Sequence, residues 1–140
     1  MTQAPTWATD LLAEIGREFK KDGVPQLRWR NATREYHSSG HTENGMVHKA
    51  AGFEARRFAD CRIAITAGSW SQGQRRLLLH EIAHALLPGV GHTAGFQRTL
   101  CYLLEKHMAA IPEAIKLEGE YMKGFTKAWN AGEHRRLLEG

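Results

Sequence analysis

The chain has 140 residues, of which 42% are hydrophobic and 24% charged, and these values are typical of one globular domain spanning residues 1–140. Its 19 Lys and Arg against 15 Asp and Glu give a formal charge of +4, which permits contact with nucleic acid without requiring it. No apolar run approaches the roughly 18 residues of a membrane span, so the sequence argues against a membrane protein.

The N-terminal segment and the two cysteines predict the compartment. The first residues lack the basic start, apolar run and small-residue cleavage site of a secretory signal peptide. Cys61 and Cys101 lie forty residues apart in apolar contexts, which is typical of reduced core thiols rather than of a disulfide framework. We therefore expect a cytoplasmic protein.

The first predicted element is an N-terminal helix. Apolar residues recur at helical spacing from Trp7 to Phe19, and Gly23 with Pro25 supplies a stop, so this helix is predicted to run to about Lys21.

Three segments then predict the strands of a small, mostly antiparallel sheet. Alternating residues at 27–30 predict the first strand, the segment from about Met46 to Phe53 the second, and residues 62–66 the third. The polar segment 37–45, which ends in the turn pair Asn44-Gly45, is predicted to be a loop.

The second half of the chain predicts helices. Ser71 and Gln74 form a capping-box pattern before a helix that is apolar nearly all round and ends at Pro88. Thr93 can cap a further helix, and Pro112 can open a last helix that reaches about residue 130. The predicted fold class is therefore α+β, with helices outnumbering strands.

The apolar helix contains the pattern H-E-x-x-H at His80, Glu81 and His84. Two histidines at positions i and i+4 share one helical face and can both bind one zinc ion. Glu81 is offset by one residue, so its carboxylate misses the ligand positions but can reach a water molecule at the metal as a general base. An apolar helix that buried these polar groups without partners would be destabilised, which favours a metal site over two ordinary histidines.

A catalytic zinc site needs a third protein ligand, and the downstream candidates are His92, Glu105 and His107. Two glycines before His92 let the chain reverse and bring its imidazole back over the helix end. Glu105 is predicted to face away from His92 on the next helix, and His107 to lie about 22 Å further along it. Helical geometry therefore favours His92. No spacing selects an oxyanion-stabilising residue among Tyr102, His107 and Tyr121.

The run HEIAHALLPGVGHTAGF resembles the SprT-like zinc metallopeptidases, relatives of the Spartan and Wss-type proteases that act on DNA-protein crosslinks. His80, Glu81 and His84 match the first motif of that family, and His92 with Phe96 matches its H-x-x-x-F motif. The resemblance covers about residues 63–104. It implies a zincin-like fold whose active helix carries H-E-x-x-H, one Zn²⁺ per chain on the three histidines, Glu81 as the catalytic residue, and cleavage of proteins held near DNA.

These expectations predict a zinc-dependent endopeptidase that acts on a protein or peptide substrate, with non-specific DNA as a candidate partner. Strand 62–66 directly precedes the active helix, and we expect an extended substrate to pair along it as the sheet edge. The second hypothesis is a non-catalytic zincin-fold module that binds nucleic acid or a protein partner. Glu81 favours the enzyme, because a purely structural metal site needs no general base. A third hypothesis, a helical scaffold with a chance motif, predicts no bound metal.

Overall fold

The computed structural model describes residues 3–33, 39–43, 47–49, 52–54 and 57–139. The chain divides into two compact units, Met1–Gly89 and Val90–Gly140, and each is described by itself. All the described strands lie in the first unit, and the second is helical. The chain is therefore α+β, as predicted. None of the helices within the described ranges is long and apolar enough to cross a membrane.

Among its described residues, the first unit contains two long helices, five strands and one turn of 3₁₀-helix. In chain order these are α1 (Thr6–Glu18), β1 (Gln26–Asn31), β2 (Ser39–Glu43), β3 (Val47–Lys49), β4 (Gly52–Glu54), the 3₁₀ turn (Phe58–Asp60), β5 (Arg62–Ala67) and α2 (Ser71–Leu86).

Strands β1, β5 and β2 form a three-stranded sheet in that order. β1 pairs parallel to β5, from Gln26 opposite Arg62 to Asn31 opposite Ala67. β2 pairs antiparallel to β5, with Thr42 opposite Ile63. The prediction of a mostly antiparallel sheet is therefore wrong for this sheet, which is mixed. Apolar alternation identifies a strand and its buried face, but it does not encode the direction of the neighbouring strand.

One face of the sheet is buried and the other is polar. Ile63 and Ile65 of β5 and Trp29 of β1 are buried, and α2 packs against β5 and β2. Residues directly opposite one another on neighbouring strands share a face. Gly40 and Thr42 of β2 are paired with Ile65 and Ile63, so they lie on the face that meets α2.

Two predictions about the strands need correction. The polar segment predicted as a loop contains β2, which lacks apolar alternation because it is a sheet edge built from small and polar residues. The single strand predicted from about Met46 to Phe53 is instead two short strands, β3 and β4, which pair with each other. The turn pair Asn44-Gly45 lies outside the described residues.

The helix ends of the first unit also differ from prediction. α1 buries Leu11, Leu12 and Ile15 as expected, but it ends at Glu18 rather than near Lys21. The capping box at Ser71 is absent, because α2 begins at Ser71 itself and Trp70 occupies the N-cap position without a side-chain hydrogen bond. The Gln74 side chain instead donates a hydrogen bond to the carbonyl of Gly68 at 2.5 Å.

Over residues 90–139, the second unit contains four helices, α3 (Ala94–His107), α4 (Ile111–Tyr121), α5 (Phe125–Ala131) and α6 (Arg135–Glu139). The predicted cap of α3 is confirmed, because the Thr93 hydroxyl accepts a hydrogen bond from the Phe96 backbone N–H at 3.3 Å. The last helix predicted to reach about residue 130 is divided into α4 and α5, which are separated by residues 122–124. The buried side of α3 contains Phe96, Leu100, Leu103 and Leu104.

Candidate metal centre

His80 and His84 lie in the second half of α2, one helical turn apart. Their ring centres are 5.1 Å apart and the ring planes are inclined by 63°. His80 is buried, with 5% of its surface exposed, and His84 is half-buried. Leu78, Leu79 and Ile82, which are fully buried, fix the rotation of the helix about its axis. The local sequence therefore presents both imidazoles from the same helical face.

His92 completes a cluster of three histidines. It is exposed and lies in the loop before α3, where Gly89 and Gly91 have φ angles of 81° and 61°. These left-handed conformations favour glycine, as the sequence predicts for this loop. One nitrogen from each of His80, His84 and His92 lies within 4.8 Å of the other two. The three side chains could hold a metal ion.

The donor set of this cluster is one that zinc and several other divalent transition metals accept. Three imidazole nitrogens are ligands that Zn²⁺ accepts readily, and three protein ligands leave one tetrahedral position for water or substrate. The burial of the three histidines decreases from His80 through His84 to His92, so one side of the cluster is exposed. An ion in this position would be accessible from outside the protein.

The two alternative third ligands are not in the histidine cluster. An oxygen of Glu105, Oε1, lies 3.6 Å from Nε2 of His134 and 3.4 Å from Nε of Arg135. His107 is the last residue of α3, and within the described part of the chain the cluster of potential ligands contains only His80, His84 and His92. The structure therefore brings together the set that helical geometry favoured.

Glu81 is buried, with 5% of its surface exposed, and its carboxylate lies against Gly40 and Thr42 of β2. The hydroxyl of Thr42 lies 2.7 Å from Oε1 of Glu81 and 3.1 Å from the backbone carbonyl oxygen of the same residue. A Cβ atom placed on Gly40 would approach Oε2 and Cγ of Glu81 to 2.9 Å. A polar strand and the neighbouring helix thus enclose the carboxylate that the sequence assigns as a general base.

Sequence reasoning missed Thr42 and Gly40 altogether. Both lie in the segment predicted as a loop, and neither belongs to a recognised catalytic pattern. Residues two positions apart lie on the same face of a strand. Had this segment been recognised as a strand, Gly40 and Thr42 could have been placed together beside α2.

One of the three residues considered for oxyanion stabilisation lies beside a histidine of the cluster. The ring centre of Tyr121, at the end of α4, is 5.6 Å from that of His92, and 68% of Tyr121 is exposed. Phe96 contacts the same imidazole, with ring centres 5.0 Å apart. Tyr102 is buried and its hydroxyl accepts a hydrogen bond from Lys106 at 3.3 Å. Tyr121 is thus placed beside the cluster, which spacing alone did not indicate.

The polar face of the three-stranded sheet carries arginines. Arg28 and Arg30 of β1 alternate with the inward-facing Leu27 and Trp29, and both arginines are exposed. Arg62 of β5 is also exposed and lies opposite Gln26 on the same face. The strand register thus groups three guanidinium groups that are distant along the chain.

Comparison of the chain with models of known protein families, with curated proteins and with solved structures gave no match.

Proposed function

We propose that the protein is a zinc-dependent endopeptidase in which His80, His84 and His92 hold one Zn²⁺ and Glu81 is the general base. The observation that carries this proposal is the cluster of three imidazoles with a buried carboxylate on the same helix as two of them. A structural metal site has no use for such a carboxylate, whereas hydrolysis needs a proton acceptor beside the metal. The resemblance of residues 63–104 to the SprT-like family, with its zincin-like fold, supports the same assignment.

The chemistry divides between the ion and the protein. Zinc, when bound, supplies a Lewis acid that polarises a carbonyl oxygen and lowers the pKa of water. The Glu81 carboxylate accepts a proton from the attacking water as the bond between the water oxygen and the peptide carbon forms. Glu81 then returns that proton to the amide nitrogen as the C–N bond breaks, and an amine leaves. Glu81 thus carries one water proton to the leaving amine, and the second water proton remains with the new carboxyl group.

The strand that would receive the substrate differs from the sequence expectation. Strand 62–66 was expected at the sheet edge, but β5 has neighbours on both sides and is the central strand. Within the described residues, β2 pairs with β5 alone and is therefore the edge next to α2. We infer that an extended peptide adds beside β2 through backbone hydrogen bonds, which select little among side chains.

A non-catalytic binding module is the second candidate, and one observation favours it. Arg28, Arg30 and Arg62 lie on one exposed sheet face, where they can contact successive phosphates of a nucleic acid without reading its sequence. The same face is compatible with a peptidase that acts on DNA-associated proteins.

The deciding experiment combines metal analysis with a cleavage assay. The purified chain, loaded with zinc, is incubated with an unfolded protein such as casein, with and without DNA, and the products are identified by mass spectrometry. We expect peptides that are absent in parallel incubations with Glu81→Gln. Stoichiometric zinc without any cleavage would refute the peptidase and favour the binding module. Absence of bound zinc would refute the peptidase and leave the H-E-x-x-H pattern a coincidence.

A further inference from the structure

The hydroxyl group of Thr42 lies against Glu81 at two points. It is 2.7 Å from the carboxylate Oε1 and 3.1 Å from the backbone carbonyl oxygen. A threonine hydroxyl has one proton to donate, and the shorter distance with the negatively charged acceptor makes the carboxylate its stronger partner. The contact joins residues that are 39 positions apart in the sequence, so it is a property of the fold rather than of the helix.

The other oxygen of the carboxylate lies over Gly40. A Cβ atom at this position would be 2.9 Å from Oε2, 2.9 Å from Cγ and 3.1 Å from the carboxyl carbon of Glu81. Real Cβ atoms do not approach so closely, so any larger residue at position 40 would displace the carboxylate or the strand. Gly40 therefore provides space for Glu81, while Thr42 provides a hydrogen bond.

We propose that β2 positions the general base, with Thr42 holding Oε1 by a hydrogen bond and Gly40 leaving the space that Oε2 occupies. The proposal rests on the peptidase function proposed above and adds two positioning residues to it.

The physical need for such a device follows from the length of the glutamate side chain. Three rotatable bonds separate the carboxylate of Glu81 from the backbone of α2, so the helix alone does not fix its position. Catalytic groups lose much of their effect when they are displaced by about 1 Å, and supporting hydrogen bonds are the usual means of holding them. β2 supplies this support from outside the helix.

The test compares two substitutions at Thr42 with a matched substitution in the neighbouring strand. Thr42→Val keeps the shape and removes the donor, whereas Thr42→Ser keeps the donor and removes a methyl group. Thr66→Val makes the same change on β5, on the face of the sheet directed away from α2. For each variant, kcat and KM are measured separately, together with zinc content and melting temperature. Crystal structures of the wild type and Thr42→Val give the position of the Glu81 carboxylate without reference to activity.

We expect Thr42→Val to lower kcat by about tenfold or more, the scale of a hydrogen bond to a charged group, with KM and zinc content unchanged. Thr42→Ser should recover most of the lost kcat, and Thr66→Val should match the wild type. The carboxylate of Glu81 should leave its wild-type position in the Thr42→Val crystal. Gly40→Ala should displace it as well, through steric contact rather than loss of a donor.

Two results would overturn the proposal. One is an unchanged carboxylate position in Thr42→Val, and the other is a Thr42→Ser variant as impaired as Thr42→Val, which would assign the effect to packing of the methyl group. Failure of the peptidase function is distinguishable from both. In that case the wild type cleaves no substrate, while the crystal structures still decide whether Thr42 positions Glu81.

Discussion

Nε2 of the buried His134 lies 3.6 Å from Oε1 of Glu105, and this pairing engages a carboxylate that the sequence left open as a metal ligand. Arg135 approaches the same oxygen at 3.4 Å. Glu105 therefore accepts a hydrogen bond from the Arg135 guanidinium, and it serves as a matched control for the histidines that form the cluster.

The first prediction concerns the metal ligands. Alanine substitution of His80, His84 or His92 should each abolish stoichiometric zinc binding, because two imidazoles hold the ion far more weakly than three. Glu105→Ala should keep full zinc content. The metal-to-protein ratio after dialysis, measured by inductively coupled plasma mass spectrometry, checks both statements. Full occupancy in His92→Ala with loss in Glu105→Ala would reassign the third ligand.

The second prediction concerns metal removal. A ligand that binds only the native state stabilises it by mass action, by about 2.7 kcal/mol when its free concentration is a hundred times its Kd. Chelation of zinc should therefore lower the melting temperature, and restored zinc should raise it again. The same titration with His84→Ala should leave the melting temperature unchanged. An equal zinc-dependent shift in His84→Ala would place the stabilising ion elsewhere.

The third prediction concerns Glu81. Glu81→Gln keeps the size of the side chain and an oxygen that can accept a hydrogen bond from Thr42, but it removes the proton acceptor. Zinc content and fold should be retained, while peptidase activity, including any self-cleavage, should fall by about 10² or more. Cleavage of an unfolded protein at matched zinc occupancy is the measurement. Equal activity of the two proteins would rule out Glu81 as the base.

The fourth prediction concerns the two thiols. Burial raises the pKa of Cys101 from 9.0 to about 12, with smaller contributions from the carboxylates of Glu105 and Glu118. Burial, followed by the charge of Asp60, also raises the pKa of Cys61. A disulfide-exchange reagent at pH 8 should therefore react with both thiols only after unfolding.

The same shift gives a pH dependence of stability with a definite sign. Below pH 9 the Cys101 thiol is protonated in both states, so its contribution to the free energy of unfolding is constant. Between pH 9 and about 12 the unfolded chain releases this proton first, so stability falls as pH rises. Denaturant unfolding across this range should show that the free energy of unfolding falls less with pH for Cys101→Ser than for the wild type. Identical declines would mean that Cys101 is not buried as described.

The fifth prediction concerns the arginine face of the sheet. Any DNA binding should be independent of sequence and should weaken steeply with salt, because it depends on phosphate neutralisation. The double substitution Arg28→Ala/Arg30→Ala should weaken binding and reduce the slope of log K against log salt by about 2. Arg135→Ala/Arg136→Ala, in the second unit, is the matched control. Binding that is insensitive to salt, or to Arg28 and Arg30, would contradict this assignment.

The helix that carries the histidines could be predicted from the sequence, because helical periodicity involves residues that are close together along the chain. His80 and His84 share a face through the period of the helix, and the buried leucines around them follow the same period. The left-handed backbone before His92 was also predictable, because Gly89 and Gly91 favour it. These features depend on residues within a few positions of one another.

The strands could not be predicted equally well, because their neighbours are distant along the chain. β2 contains no apolar alternation, so nothing near Gly40 and Thr42 identifies it as a strand next to α2. β5 is a central strand because it has a partner on each side. Its alternating buried residues, Ile63 and Ile65, would form the same pattern in an edge strand, so the pattern does not reveal this position. Sheet order therefore depends on contacts between segments that are distant in sequence, and local sequence patterns do not reveal these contacts.

The contact between Thr42 and Glu81 has a consequence for the order of folding. His80 and His84 meet as soon as α2 forms, on the time scale of helix growth, whereas the contact with Thr42 must close a loop of 39 residues and requires β5 to be paired. During synthesis, β2 leaves the ribosome before β5 and α2. Thr42 can therefore contact Glu81 only after both of these elements have emerged. The two histidines of α2 thus share a helical face before Thr42 can hold the carboxylate of Glu81, and under the proposed function a nascent chain would become active only after the sheet has closed.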